Sequence, residues 1–116
     1  MADPMLDDPG IPRGSQDYEV NEREIVYGSE TKSSAKLFRQ MQNRGWTISD
    51  MEEVVRRPFT TRQSINKATG NPATVFYNRD GTYIIVDDVT NALVQISDKY
   101  DPNWIPDASI INPYRP

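Results

Sequence analysis

GNPATVFYNRDGTYIIVDDVTNALVQISDKYDPNWIPD, residues 70–107, is the stretch on which the fold turns. Three runs rich in β-branched and aromatic residues, 73–77, 82–87 and 93–97, are separated by Asn78-Arg79-Asp80-Gly81 and by Val89-Thr90-Asn91-Ala92. Gly81 tolerates the positive φ of a tight connection, and Asn and Asp favour turns, so the stretch predicts a three-stranded antiparallel meander. With Val75, Ile84, Val86, Val94 and Ile96 assigned to the core, the period-two alternation places Thr74, Phe76, Tyr83, Ile85, Gln95 and Ser97 on the opposite face. That face would carry aromatic rings with polar gaps, a surface suited to a stacked base and equally to an ordinary solvated sheet.

Two helices are predicted ahead of the meander. The first covers residues 34–44, where Ser33 or Ser34 caps the start, Leu37, Phe38 and Met41 form the apolar stripe and Gly45 stops it. Trp46 follows as a core anchor. The second covers residues 50–57, with Ser49-Asp50-Met51-Glu52 read as its capping box, Met51, Val54 and Val55 as its buried stripe, and Pro58 as its end. The fold class is therefore α+β: two N-terminal helices packed on one face of a small antiparallel β-meander.

Between the second helix and the meander, TTRQSINKATG (residues 60–70) reads as a basic loop feeding the sheet. Arg62 offers a bidentate fork for phosphate and Lys67 a mobile point charge, among hydroxyl and amide donors. A solvated loop is the alternative for such a tract. Residues 1–16, rich in Pro, Gly and Asp, read as a flexible linker or leader, and residues 18–27 as a short docking helix. The chain thus divides into a leader with its docking segment, residues 1–28, and one domain, residues 29–116.

The composition narrows the chemistry. At 116 residues the chain holds one modest core, and its 36% apolar content contains no run near the roughly 18 residues of a membrane helix. The first residues lack the basic and apolar regions of a signal peptide, so any export relies on another part of a larger protein. There is no Cys and no His. Disulfides, zinc sites of the usual ligand sets and imidazole acid–base catalysis are excluded. The adjacent Asp87 and Asp88 point to opposite faces of a strand and suit turn capping better than joint metal ligation; Asp98, Asp101 and Asp107 are read as turn organisers.

The net charge of −4 conceals a strong segregation. Residues 1–30 carry −6, residues 31–79 carry +6 and residues 80–116 carry −4. A polyanion responds to the local field, so the central basic block favours a nucleic-acid partner; a basic helix pair that balances acidic flanks is the competing explanation.

The runs GWTISDMEEVVRRP (45–58), NPATVFYNRDGTYIIVDDVTNALVQISD (71–98) and DPNWIPD (101–107) resemble the ribonuclease domain of the E-five colicin and its relatives. Those relatives form the C-terminal tips of bacterial contact-dependent growth inhibition and polymorphic toxins. The resemblance implies the fold group of barnase, EndoU, colicin and RelE nucleases. It also implies metal-independent cleavage of tRNA, in the anticodon loop, by attack of the 2′-hydroxyl on the adjacent phosphate, leaving 2′,3′-cyclic phosphate and 5′-hydroxyl ends. Catalysis in that family uses Lys and Arg in place of His, with no cofactor and no metal. An acidic, RNA-mimicking immunity protein is implied as partner, along with secretion inside a larger toxin and action in the cytoplasm of the target cell. The departure lies in the basic tract, where relatives carry a denser Thr-Arg-Asp-Thr-Arg string and a longer insertion.

On this basis Arg62 and Lys67 are expected to bind phosphate and stabilise transition-state charge. Thr74, Gln95 and Ser97 are expected to contact the reacting nucleotide, and Lys36 to act in acid–base transfer or phosphate steering. Lys32, Arg39, Arg57, Ser64 and Tyr83 are the expected RNA contacts. A non-catalytic RNA-binding module and a protein-interaction module of the same fold are the alternatives.

Overall fold

The structure, a computed structural model, describes residues 23–29 and 32–116. Helix α1 spans Ser34–Asn43 and α2 spans Ile48–Arg56, followed by strands β1 (Thr60–Asn66), β2 (Asn71–Tyr77), β3 (Tyr83–Asp87) and β4 (Leu93–Ile96). The strands form one antiparallel sheet in sequential order. The fold is α+β, as expected, with one strand more than the meander read from sequence. The basic tract is not a loop: residues 60–66 pair with β2 along their whole length, from Thr60 opposite Tyr77 to Asn66 opposite Asn71.

The helices start where short polar side chains satisfy their free amides. Ser33 Oγ accepts from the Lys36 amide at 3.2 Å. The capping box of α2 is formed by Thr47 and Asp50, not by Ser49: Thr47 Oγ1 accepts from the Asp50 amide and the Asp50 carboxylate accepts from the Thr47 amide, both at 3.0 Å. The helix therefore begins two residues earlier than expected, because Thr47 is the residue with extended φ/ψ. Gly45, at φ +83°, turns the chain between the helices.

Leu37 and Met41 of α1, Trp46, and Met51, Val54 and Val55 of α2 close over one sheet face, against Phe76, Ile84, Val86, Leu93 and Ile96. The opposite face is also covered. Residues 98–116 cross it without regular secondary structure and bury Ile110, with Trp104 and Tyr114 packed against Ala73, Val75, Tyr77, Tyr83 and Ile85. Asp98, Asp101 and Asp107 each accept the amide two residues on, and these turns bend the segment to fit.

The two faces differ from the sequence assignment for a specific reason. Register pairs Phe76 with Ile84 and Val75 with Ile85, so Val75 lies on the far face and Phe76 under the helices. A bulge between Ile85 and Val86 then pairs Val86 with Leu93 but Ile85 with Gln95, which leaves Val94 as an extra residue. Leu93 and Ile96 both enter the helix-side core, and Val94 joins the far side. Phe76 and Tyr83 are each 1% exposed, so no open aromatic face exists.

The linker or leader read over residues 1–16, and most of the docking segment, lie outside the described residues. The described part of that segment is extended where a helix was expected. Val26 donates its amide to Asn91 O at 2.8 Å and accepts from the Leu93 amide at 3.0 Å, a single parallel bridge beside β4. Ile25 and Tyr27 pack on the helix-side core.

Candidate active site

The far face is left uncovered at one end. There a cleft of ≈ 230 Å³ opens between Lys32 on one side, Lys67 on the other, Gln95 and Ile85 on the sheet, and Asp107 and Ser109 of the crossing segment. Lys67 follows β1 in the turn to β2, and its Nζ lies 3.5 Å from Asp107 Oδ1. Gln95 is held at both ends of its amide: Nε2 donates to Asp107 Oδ2 at 3.1 Å, and Oε1 accepts from Tyr83 Oη at 2.8 Å. Tyr83 Oη in turn accepts from Trp104 Nε1 at 3.0 Å. One N–H and one lone pair of Gln95 remain for a ligand in the cleft. The Asp107 carboxyl is held below its ordinary value chiefly by the Ser109 amide, against the opposing effect of burial, with help from Ser109 Oγ, Lys67 and Gln95.

Beside the cleft runs the edge of the sheet. Alternate carbonyls of an edge strand point away from its partner, and here two cations use them. Lys32 Nζ donates to Val94 O at 3.2 Å, and Arg44 Nη1 donates to Ile96 O at 2.7 Å. The Arg44 guanidinium also lies 5.1 Å from the Trp104 ring centroid. Lys36, on the first turn of α1, is close enough to act on Lys32 electrostatically, as is Arg44. Burial, then Lys36, then Arg44 lower the Lys32 pKa from the ordinary lysine value. Among the described residues none of these three cations has a carboxylate within ion-pair distance; the pairs formed are Arg23–Asp88, Arg56–Glu53, Lys67–Asp107 and Lys99–Asp50. Three like charges gathered without counterions make a site for an anion.

Of the residues singled out from sequence, Lys32, Lys67 and Gln95 line the cleft and Lys36 stands beside it. Arg39 is exposed on α1, and Arg57 is exposed just after the end of α2. Five others are committed elsewhere. Arg62 donates to Asn112 O, Thr60 Oγ1 and Thr61 O, and so ties the crossing segment to β1, about 17 Å from Lys67 at the usual strand rise. Ser64 is buried against Ser109 Oγ at 2.7 Å. Thr74 lies under the helix face and donates to Asp88 Oδ1, which also pairs with Arg23. Ser97 is buried, and its Oγ accepts from the Tyr83 amide at 2.9 Å. Tyr83, expected to contact RNA, is buried between the sheet and Trp104 and offers no ring face to a base.

Arg44, Asp107 and Trp104 complete the site and were not among the site residues expected from sequence, where Asp107 is read only as a turn organiser. Arg44 reads as the last residue of a helix; only its place just before the Gly45 turn hints that its side chain leaves the helical row. Arg62→Ala is expected to lower stability by about 1–2 kcal/mol and to leave any activity of the cleft within about threefold. A thermal melt beside a rate measurement checks both.

Residues 33–109 match a family described as the Colicin E5 ribonuclease domain. The chain is 37% identical over 89 residues to Colicin-E5 of Escherichia coli, covering 68% of this chain and 49% of that protein. It is 32% identical over 83 residues to the tRNA nuclease CdiA of Burkholderia pseudomallei, covering 65% of this chain and 6% of that much longer protein. The chain thus spans about half the length of the first relative and a small part of the second.

Proposed function

This chain belongs to the Colicin E5 ribonuclease domain family, and from that premise we propose that it is a toxin endoribonuclease that cuts tRNA in the anticodon loop without a metal ion. The observation that supports this reading is the gathering of Lys32, Lys36 and Arg44, without a carboxylate partner among the described residues, at the sheet edge beside a cleft whose amide donor is already oriented. The chemistry is transesterification. The 2′-oxygen attacks the adjacent phosphorus, the bond to the 5′-oxygen breaks, and the products end in a 2′,3′-cyclic phosphate and a 5′-hydroxyl.

Each part of the site has a task in that reaction. Arg44 spends one N–H on Ile96 O and directs its others to the non-bridging phosphate oxygens, where a planar fork fits two acceptors. Its attachment to a strand carbonyl fixes the charge before the substrate arrives, so little reorganisation is needed as negative charge develops. Lys36, exposed beside it, protonates the leaving 5′-oxygen. Lys67, tethered by its pair with Asp107, reaches a flanking phosphate. Gln95 reads a base edge with its remaining N–H and lone pair. The likeness to toxin relatives supports a larger secreted protein that delivers this domain to the cytoplasm of a target cell. It also supports an acidic immunity protein that covers the same cations and excludes RNA by competition.

Purified protein incubated with total tRNA in excess EDTA should give discrete fragments with cyclic phosphate ends. Activity that disappears in EDTA and returns only with Mg²⁺ overturns the metal-independent chemistry. Retardation of tRNA without cleavage would indicate a binding module, and neither effect would indicate a protein-interaction domain.

A further inference from the structure

We propose that Lys32 is the group that takes the proton from the attacking 2′-hydroxyl, an assignment that rests on the ribonuclease reading above. Lys32 precedes the Ser33 cap, so it lies outside the helical row of α1, and its side chain reaches the edge of β4. Its Nζ is half-buried there, at the mouth of the cleft, with one N–H on Val94 O. A neutral amine keeps that bond: of its two hydrogens one stays on the carbonyl, and its lone pair is left for the cleft. An ammonium in the same place holds a third hydrogen and accepts nothing.

The neighbours favour the neutral form. From α1 and its end, Lys36 and Arg44 face Lys32 with like charge; β4 presents only a carbonyl; Lys67 and Asp107 face it from across the cleft and are paired with each other. Among coupled cations the least hydrated releases its proton first, and Lys32 is the one whose lowered pKa comes foremost from burial. Lys36, exposed on the first turn of α1, is placed to supply a proton to the leaving group. The step balances: Lys32 Nζ gains the hydroxyl proton, the 2′-oxygen forms its bond to phosphorus, the bond from phosphorus to the 5′-oxygen breaks, and that oxygen takes a proton from Lys36. Water then returns a proton from Lys32 to Lys36, and no other reactant is consumed.

The test uses this protein, labelled tRNA and two variants at Lys32. Lys32→Arg keeps the charge and the reach but cannot become neutral in the working range, so single-turnover cleavage should fall at least about a hundredfold while tRNA affinity stays within about threefold. Lys32→Ala should lose as much and regain part of its rate with added methylamine. Cleavage by folded Lys32→Arg within threefold of wild type overturns the assignment, as does an alanine variant indifferent to amines. The pH profile gives an independent reading. Activity requires neutral Lys32, so it falls as pH drops through that pKa; removing a neighbouring positive charge raises the pKa and moves the fall to higher pH. Lys36→Gln should therefore shift its acidic limb upward, and an unmoved limb counts against Lys32. If wild-type protein does not cut tRNA at all, the ribonuclease reading fails; if it cuts and Lys32→Arg cuts equally well, only the Lys32 assignment falls.

Discussion

Asp87→Ala should cost about 3–5 kcal/mol of folding stability, as much as truncating a core aromatic of this sheet. Asp87 ends β3 and is fully buried. One carboxylate oxygen accepts the amides of Val89 and Thr90 at 2.8 and 3.0 Å. The other accepts from Asn66 Nδ2 at 2.8 Å, Thr69 Oγ1 at 3.1 Å and Asn71 Nδ2 at 3.1 Å. One side chain thus joins the β1–β2 turn to the β3–β4 turn at the end of the sheet where the cleft opens. Its removal leaves several donors without an acceptor in a dry place. Asp87→Asn should be nearly as harmful, since both oxygens face only donors and an amide nitrogen would meet N–H groups. A thermal melt should show the midpoint lowered by more than about 10 °C.

The pH dependence has a definite sign. Burial alone would raise the Asp87 pKa, but the Thr90 amide, the Asn66 side chain, the Val89 amide and the Asn71 side chain outweigh it and hold the folded carboxyl well below the ordinary carboxylate range. A depressed folded value means that the unfolded chain takes up the proton first. The stabilisation is complete above the unfolded pKa of about 4 and is lost as pH falls toward the folded value. The difference between wild type and Asp87→Ala should therefore be constant from neutral pH to about pH 5 and shrink below about pH 4. A difference that grows on acidification would contradict this account.

The second large effect concerns catalysis. Arg44→Ala should lower single-turnover cleavage of tRNA by about a hundredfold to a thousandfold, the usual loss when one preorganised donor to a developing oxyanion is removed. Arg44→Lys should recover little, because an ammonium cannot hold Ile96 O, stack on Trp104 and present two parallel donors together. The fold should survive. The Arg44 amide still caps α1 on Gln40 O, and its carbonyl still accepts from the Lys99 amide at 2.9 Å, both backbone contacts. A melting midpoint near wild type with the rate lost supports the assignment. A rate within tenfold of wild type would move the phosphate site away from the β4 edge.

Much of the architecture was fixed by local chemistry and is legible in the chain. Ser33 and Gly45 bound the first helix, Met51, Val54 and Val55 give the buried row of the second, and Gly81, at φ +91°, and Asn91, at φ 62°, turn the meander where their backbone freedom allows. The absence of His and Cys, and the ordered pieces between residues 45 and 107, narrow the family from the sequence alone. The Asp87 cap and the turn roles of Asp98, Asp101 and Asp107 were also readable, because each depends on an amide two residues away. Three things were decided only by the tertiary structure. The tract at 60–66 became a strand because Arg62, Gln63 and Ser64 find partners on a segment some 50 residues later, so polar residues are satisfied inside a sheet in a way no local pattern announces. Faces were reassigned because one extra residue at Val94 resets the alternation of β4, and a bulge leaves no signature in the order of apolar and polar residues. The site itself joins Lys32, Arg44, Lys67, Gln95 and Asp107 from five separate parts of the chain. Proximity of that kind is set by how the sheet edge and the crossing segment meet, and charge and spacing along the sequence carry no record of it.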